Sequence, residues 1–390
     1  MSTRVNPDLL SDIKEYGAFN ISACFNCGNC TAVCPLSTEE DSFPRRMIRY
    51  GQLGMQDQLL SSKELWKCYY CGECSRTCPR QADPGEFMAA SRRYAIASYD
   101  RLGLAKTLYT SPLMSAILMI LLWVILAGFM YTTHGPMVKG SLRLFEFIPA
   151  GVIHNLGLVV IAIVFLAGLS GAVHMILSIS KASKLPKGQR FNWLGALWQA
   201  VGVEALGQQR YRQDCETDSD QGAWYRKKWF IHASIMWGFL GLLAATALDY
   251  LLDLIGAKPT GTWVPIWYPV RLLGTLAGLL LVYGVSMMIL KRIRGADEAS
   301  KHSFPSDWVF LILLWLAGVS GFVLEISEYL PQAPMWGYWM LLFHVATAME
   351  LVLLAPFTKF AHAFYRTVAL YVDALKPLAE KEPLGAGGAD

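Results

Sequence analysis

Six long apolar runs in the C-terminal three-quarters of the chain constrain its fold more than any other feature. A helix needs about 20 consecutive apolar residues to cross a bilayer, and only helices or closed barrels satisfy their backbone hydrogen bonds there. The runs cover residues 112–131, 151–179, 229–252, 269–290, 307–324 and 336–357. The sequence therefore predicts an all-α membrane bundle that crosses the bilayer six times.

The charges of the loops predict their sides of the membrane. Lysine and arginine are frequent in residues 181–228 and 291–301, whereas the opposite loops carry only Lys139, Arg143 and Lys258. Because positively charged loops stay in the cytoplasm, both termini are expected on the cytoplasmic side of the inner membrane. Residues 1–6 contain no apolar stretch, so we expect no cleaved signal peptide.

The inner loop 181–228 contains an amphipathic pattern. Apolar residues recur at helical spacing at Phe191, Leu194, Trp198, Val201 and Ala205. We expect a helix over 191–206 that lies on the inner membrane surface against lipids, or that forms a partly buried connector.

Histidines in the spans suggest haem ligands, because ionisable residues are costly in a bilayer and usually functional. His344 and His362 are 18 residues apart, and we expect both on the last helix, about 27 Å apart and facing the same way. Two stacked haems b need axial ligands at such depths. We pair His344 with His154 for the outer haem. For the inner haem we pair His362 with His232, with His174 as the alternative.

Other polar residues suggest a quinone site or a proton path near the outer membrane face. Glu325, Glu328 and Tyr329 follow the fifth run, Arg271 lies in the fourth, and Glu350 lies in the sixth. A quinol that gives up two electrons also gives up two protons, and these side chains could carry them. Ordinary polarity at a membrane interface is the alternative interpretation.

Eight of the nine cysteines form two copies of one spacing, Cys-x2-Cys-x2-Cys-x3-Cys-Pro. This spacing binds two [4Fe–4S] clusters, and the fourth cysteine of each run ligates the other cluster. We therefore expect one cluster on Cys24, Cys27, Cys30 and Cys78, and the other on Cys68, Cys71, Cys74 and Cys34. Zinc sites do not use this triple run, and disulfides need an oxidising compartment. Cys215 lies in a polar stretch and is interpreted as an incidental thiol.

The fold predicted from these patterns is a helical two-cluster ferredoxin domain followed by a six-helix transmembrane cytochrome b bundle. The boundaries are 1–105 for the cluster domain, 106–366 for the membrane domain and 367–390 for a cytoplasmic tail. In the first domain, Pro84 and Glu86 predict the start of a helix that runs to about Tyr99. Its Arg92 and Arg93 are expected to form a solvated face, or to dock an acidic partner or lipid headgroups. The net charge of +4 is too small to indicate nucleic acid as a partner.

Both halves of the chain resemble parts of known redox complexes. The doubled motif, with the stretch Leu65-Trp66-Lys67-Cys68-Tyr69-Tyr70-Cys71-Gly72-Glu73-Cys74, resembles the C subunit of heterodisulfide reductases. The membrane half, with His344 and His362 near its end, is similar to the E subunit of those enzymes and to the cytochrome b subunit of respiratory nitrate reductase. The fusion of the two halves resembles the C subunits of quinone-interacting membrane-bound oxidoreductase (Qmo) complexes, outside the C-terminal tail.

This resemblance implies two [4Fe–4S] clusters, two haems b and menaquinone as the quinone. It also implies cytoplasmic partner subunits that carry flavin and iron–sulfur centres, and adenylylsulfate reductase as an indirect partner in sulfur metabolism. In the nitrate reductase family, the haems lie between the last helix and an earlier one that begins at the inner face, which favours His232. That helix carries one histidine here instead of two, which leaves the outer position to His154.

The chain is expected to be one subunit of a quinone oxidoreductase complex and not a complete enzyme. It has no adjacent Cys-Cys pair of the kind used in heterodisulfide catalysis, and no Gly-x-Gly-x-x-Gly follows a predicted strand, so a flavin would belong to a partner. Two alternatives are the membrane subunit of a heterodisulfide reductase-type complex and a non-redox membrane anchor.

Overall fold

The computed structural model describes residues 5–39, 41–182, 191–209, 212, 223–257, 264–295, 303–330 and 334–375. Within these ranges the regular structure is helical and contains no β-strand. The predicted all-α class is therefore confirmed. Cys215, much of the inner loop 181–228 and most of the predicted tail lie outside the described residues.

The N-terminal domain is built from mostly short helices. They are α1 (Leu9–Lys14), α2 (Asn29–Ala32), α3 (Arg45–Gln52), α4 (Gln56–Leu60), α5 (Glu64–Lys67), α6 (Glu73–Arg76), α7 (Pro84–Tyr99) and α8 (Leu104–Thr110), with a 3₁₀ turn at Phe19–Ala23. The long helix α7 begins where the sequence predicts, because Pro84 occupies its first turn and Asp83 accepts a hydrogen bond from the Glu86 amide at 3.2 Å.

The membrane half contains most of the long helices, with a few short ones between them. They are α9 (Pro112–Tyr131), α10 (Leu144–Phe147), α11 (Ala150–Ala182), α12 (Trp193–Leu197), α13 (Lys228–Leu254), α14 (Pro269–Ile293), α15 (Pro305–Tyr329), α16 (Trp336–Leu353) and α17 (Ala361–Ala374). Six of them, α9, α11 and α13 to α16, are long and apolar enough to cross a membrane. The expected six spans are therefore present.

The last predicted helix is interrupted. Helix α16 ends at Leu353, a 3₁₀ turn covers Ala355–Phe357, and α17 begins at Ala361. Pro356 has no backbone amide hydrogen and disfavours a continuous α-helix. His344 and His362 thus lie on separate helices, so the expectation that they share one straight helix is wrong. Because α17 continues to Ala374, the predicted boundary at residue 366 falls inside a helix.

Small residues allow close contact between α13 and α14. A Cβ atom added to Gly238 would lie 2.6 Å from the backbone nitrogen of Leu281, and one added to Gly284 would lie 2.9 Å from the carbonyl oxygen of Ile231. Helices in membranes commonly approach through such positions. At Gly238 and Gly284 the backbones of α13 and α14 therefore come into close contact.

The cluster domain packs against one end of the bundle. Trp66 and Tyr99 belong to the same buried apolar cluster as Met175 and Phe357 of the membrane half. The ring of Tyr365 in α17 lies 5.3 Å from that of Trp66 and 5.2 Å from that of Tyr99. Helix α17 is therefore one of the elements that pack the two halves together.

The inner loop is helical over 193–206, within the range 191–206 that the sequence predicts. Helix α12 continues into a π-helix over Trp198–Leu206. Leu194 and Trp198 are exposed in the isolated chain, whereas Glu204 is buried. This apolar exposed side is compatible with contact to lipids, and location on the inner membrane surface stays a prediction.

Candidate functional site

The two cysteine runs share one backbone conformation. Asn26 and Tyr70, each just before the second cysteine of a run, have φ angles of 60° and 58°. Gly28 and Gly72, just after it, have φ angles of 90° and 91°. Left-handed φ angles are uncommon outside glycine, so the two loops repeat an unusual structure as well as a spacing.

The first group of thiols contains cysteines from both runs. The thiol of Cys30 interacts electrostatically with those of Cys24, Cys27 and Cys78. Cys27 is exposed, whereas Cys30 is buried. This neighbourhood contains the ligand set that crossed ligation predicts for the first cluster.

The second group lines a cavity. The side chains of Cys34, Cys68, Cys71 and Cys74 all contribute to its wall. The thiol of Cys74 interacts with the other three, and also with Cys30 of the first group. The four predicted ligands of the second cluster therefore face one space, and the two groups adjoin.

The chemistry of these thiols fits a metal cluster. Burial raises the pKa of the Cys34 thiol to about 12, and it also raises the pKa of the Cys74 thiol. Such buried thiols stay protonated unless a metal centre binds their thiolate forms. Among the described residues, no three His, Cys, Asp or Glu side chains converge on a single metal ion, which is compatible with thiols that bind separate corners of a cube.

His232 on α13 and His362 on α17 approach each other from separate helices, with ring centroids 6.4 Å apart and ring planes inclined by 66°. An imidazole nitrogen binds a transition metal at about 2 Å, so two rings on opposite faces of one iron need roughly this separation. The Nδ1 atom of His362 is hydrogen-bonded to the carbonyl oxygen of Lys359. Because a carbonyl only accepts, the neutral ring holds its proton on Nδ1 and keeps Nε2 for a metal.

His174, the alternative partner, points toward the cluster domain. Its ring lies edge-on to Tyr99, with centroids 5.6 Å apart. Its Nδ1 atom is buried, and among the described residues it has no hydrogen-bond partner. No described ring contact joins it to His362, so the geometry favours His232 as the inner partner.

His344 is oriented by α15. Its Nδ1 atom lies 3.0 Å from the Ser320 hydroxyl, which is 3.2 Å from the Ala317 carbonyl oxygen. With the hydroxyl donating to Ala317, the histidine donates from Nδ1 and Nε2 is left for a metal. The ring also packs on Gly321, where an added Cβ would lie 3.0 Å from it.

His154 has other neighbours than His344. Its ring centroid lies 4.8 Å from that of Tyr250, and its Nδ1 atom lies 4.0 Å from the Asp253 carboxylate. In the described part of the chain, no hydrogen bond or ring contact joins His154 to His344. The outer pair therefore stays a prediction from the sequence.

The structure brings Arg271, Glu325, Glu328 and Tyr329 together. The Arg271 guanidinium donates to Glu325 at 3.2 Å and to Glu328 at 2.7 Å, and it lies 5.0 Å from the centre of the Tyr329 ring. Glu325 is one helical turn beyond Gly321, which contacts His344. We call these four residues the outer polar cluster. It lies near the end of α15, and the cluster domain contacts the beginning of that helix.

Glu350 stands apart from the outer polar cluster. It is 2% exposed, and among the described residues its Oε1 atom has no hydrogen-bond partner. The position lies within α16, fewer than two turns after His344. A buried carboxyl group in a membrane span usually marks function.

An ion-pair network between the domains was missed from the sequence. Arg93 donates to Glu86 at 2.9 Å and to Asp307 at 3.2 Å, and Asp307 also pairs with Lys359 at 2.9 Å. The expected solvated face at Arg93 is therefore wrong. Burial alone would lower the pKa of Arg93, but the carboxylates of Asp307 and Glu86 raise it. The signal in the sequence was Asp307 itself, because a charge at the start of an apolar run needs a partner.

Arg92 and Arg366 form a second contact between the domains. Both donate hydrogen bonds to the backbone carbonyl oxygen of Cys68, at 2.6 Å and 3.3 Å. Arg366 belongs to α17 and lies one turn after His362. No local pattern links positions so distant in the sequence.

Similarities to known proteins divide the chain between the cluster domain and the membrane half. Residues 20–82 match the family described as a 4Fe-4S dicluster domain. The iron-sulfur C subunit of the CoB–CoM heterodisulfide reductase of Methanopyrus kandleri is 33% identical over 70 residues, which are 16% of this chain and 36% of that protein. The E subunit of the dihydromethanophenazine:CoB–CoM heterodisulfide reductase of Methanosarcina mazei is 24% identical over 155 residues, 37% of this chain and 58% of that protein.

The Citrate utilization protein B of Escherichia coli is a further relative, 28% identical over 159 residues, which are 40% of this chain and 39% of that protein. The chain thus spans between 36% and 58% of the length of these three relatives. The similarities support a fusion of parts like the C and E subunits of heterodisulfide reductases, in a multi-pass membrane protein that transfers electrons through iron–sulfur clusters. The match over residues 99–382 covers more than half of the sequence, and the chain belongs to the family described as Citrate utilization protein B.

Proposed function

We propose that the protein is the membrane subunit of a quinone oxidoreductase complex of the Qmo type. It would exchange electrons between menaquinone and cytoplasmic partner subunits that carry flavin and iron–sulfur centres, and indirectly adenylylsulfate reductase. The cofactors would be two haems b and two [4Fe–4S] clusters, which carry one electron each. The observation that carries the proposal is the facing pair His232 and His362, because it puts two imidazoles at haem-ligand distance beside the cluster domain.

The proposed ligand sets follow the side-chain contacts for the clusters and the inner haem, and the sequence pattern for the outer haem. Cys24, Cys27, Cys30 and Cys78 would hold one cluster, and Cys68, Cys71, Cys74 and Cys34 the other. His232 and His362 would bind the inner haem, and His344 with His154 the outer one. The cluster domain would face the cytoplasm, because the lysine- and arginine-rich loops lie at that end of the predicted topology.

The outer polar cluster is the proposed site of quinol oxidation. Arg271 holds Glu325 and Glu328 by ion pairs, and these carboxylates would accept the two protons that a quinol releases with its two electrons. Glu325 is one turn from the glycine that contacts His344. Glu350, buried further along α16, is a proposed relay for protons. Release of protons on the outer side would add to the membrane potential.

Absorption and EPR spectra of the purified protein test the proposal. We expect a dithionite-reduced b-type haem spectrum, EPR signals of two [4Fe–4S] clusters and about eight non-haem irons per chain. A protein with clusters but no haem would contradict electron transfer between quinone and the clusters through haem. A protein with neither cofactor would support the non-redox anchor.

The similarities favour two other kinds of partner. In these alternatives the chain has the same redox centres, but its partner is an enzyme of citrate utilization, which the family match favours, or a heterodisulfide reductase-type complex, which the other relatives favour. Co-purification from the native membrane distinguishes the candidates. Flavin-bearing subunits together with adenylylsulfate reductase activity would support the Qmo type, and partners of the other two kinds would replace it.

A further inference from the structure

The carbonyl oxygen of Cys68 is held by two arginines from different halves of the molecule. Arg92 of α7 donates to it at 2.6 Å, and Arg366 of α17 donates at 3.3 Å. Cys68 opens the second cysteine run, so both guanidinium groups contact the backbone of a residue that lines the cavity of that run. We call Arg92, Arg366 and the Cys68 carbonyl the arginine clamp.

Neighbouring side chains fix Arg366 in this position. Its guanidinium lies 4.0 Å from the centre of the Tyr69 ring, a cation–π geometry. The Tyr69 hydroxyl in turn donates to Glu204 at 3.4 Å. Glu204 lies in the π-helix Trp198–Leu206, and π-helical turns occur frequently at functional sites.

The clamp lies next to the facing histidines. Arg366 interacts electrostatically with His232, and Arg92 interacts with His362. Lys228, one turn before His232 on α13, interacts with the thiol of Cys71. The second cysteine run is therefore close to both helices that present the histidine pair.

The first cysteine run has different neighbours from the second. The electrostatic neighbours of the Cys30 thiol are Cys24, Cys27 and Cys78, and its hydrogen-bond neighbour is Thr31. All of them belong to the cluster domain. Cys27 is exposed, and Phe25 beside it is 59% exposed. The two runs thus differ in what they face.

We propose that the cluster bound by Cys68, Cys71, Cys74 and Cys34 is the one next to the membrane histidines, and that Arg92 and Arg366 raise its reduction potential through the Cys68 carbonyl. This inference rests on the proposed function, because it assumes that the thiols hold clusters. Reduction adds one negative charge to a cluster, and two adjacent guanidinium groups stabilise that charge. One electron moves in each exchange: the centre that gives it is oxidised, the centre that takes it is reduced, and no bond or proton moves with it.

The test is an EPR-monitored redox titration of the full-length protein in detergent. We expect Arg92→Gln and Arg366→Gln each to shift the potential of one cluster to lower values, with the largest shift in the double variant. The shifted signal should be the one that disappears in Cys71→Ser. The other cluster should keep its potential, and the non-haem iron content should stay at that of the unaltered protein.

A matched control removes an exposed arginine from the same domain. Arg101 is exposed and lies outside both cysteine runs, so Arg101→Gln should shift neither potential. If the double variant loses iron, Arg92→Gln alone carries the test, and Arg366→Lys should keep a potential closer to that of the unaltered protein than Arg366→Gln does.

Two results would overturn the inference. One is an unchanged potential for both clusters in variants that retain their iron. The other is a shift in the cluster whose signal disappears in Cys27→Ser. Absence of both cluster signals from the unaltered protein would instead contradict the proposed function itself.

Discussion

Arg93 and Asp307 lie 214 residues apart in the sequence and form an ion pair of 3.2 Å across the junction of the two domains. Their side chains are only 8% and 3% exposed. Lys359 and Arg292 also contact the Asp307 carboxylate, at 2.9 Å and 3.4 Å. The cluster domain is therefore attached to the membrane bundle by buried charges as well as by apolar packing.

Asp307→Asn should weaken this junction strongly. The change leaves three cationic side chains beside a neutral amide, and breaking a buried ion pair costs about 3–5 kcal/mol. We expect a lower midpoint of thermal unfolding in detergent and faster proteolysis between the domains. Glu146→Gln is the control, because its pair with Arg143 is more than half exposed on both sides and should contribute less than about 1 kcal/mol. Equal midpoints for the two variants would contradict a structural role of Asp307.

Crossed ligation predicts which cluster each fourth cysteine supports. Cys34→Ser should remove the same EPR signal as Cys71→Ser, because both thiols line one cavity. The iron content should fall from about eight to about four atoms per chain. Loss of the signal that disappears in Cys27→Ser would show that ligation is not crossed.

Cys78→Ser is the reciprocal variant. Because Cys78 lies near Cys30, the change should remove the signal that disappears in Cys27→Ser. Cys215→Ser should leave both signals and all of the iron in place.

The facing histidines predict a shared haem. His232→Ala and His362→Ala should each remove the same haem b, since each leaves the iron with one protein ligand. His174→Ala should keep it, because that ring packs on Tyr99. Reduced-minus-oxidised spectra and the ratio of haem to protein measure the result. His134→Ala, at an exposed position stacked on Tyr131, is the control, and haem loss in His174→Ala alone would reverse the assignment.

Local patterns predicted the helices well, because each apolar run has to form all the hydrogen bonds of its own backbone within the membrane. The first run, 112–131, coincides with the helix Pro112–Tyr131. The prediction of one continuous helix from the last run was wrong at Pro356, where the apolar composition continues but the α-helix does not. Composition alone overlooked the missing amide hydrogen. The consequence is that His344 and His362 are presented by separate helices.

Contacts between the domains could not be read from the sequence. Arg92 and Arg93 look like an exposed basic pair, since their partners Cys68, Asp307 and Glu86 are identified only once α7 is packed. The outer polar cluster was more accessible to prediction. Charged residues at the ends of neighbouring spans have few ways to avoid lipid except to pair with each other.

Glu325→Gln should slow quinol oxidation if the outer polar cluster accepts protons. Loss of a general base typically reduces a rate by about 10² to 10⁴-fold, while Arg271 would keep its ion pair with Glu328. Haem and iron content should remain unchanged, which separates this effect from misfolding. The measurement is the rate of haem reduction by a menaquinol analogue, with Glu146→Gln as an exposed control. An unaltered rate would exclude Glu325 from the proton path.

Gly238 provides the final prediction, because it tests how closely α13 and α14 must approach for His232 to reach α17. Alanine normally stabilises a helix relative to glycine by about 0.5–1 kcal/mol. At Gly238, however, the new Cβ would lie 2.6 Å from the Leu281 backbone nitrogen, so the helices would have to separate at a cost of about 1–3 kcal/mol. Gly128→Ala is the matched control, since nothing lies within 4 Å of its added Cβ. We expect Gly238→Ala to lower the unfolding midpoint and Gly128→Ala to keep or raise it. The same midpoint in both variants would mean that the two helices can move apart freely, and the position of His232 would then not depend on their contact.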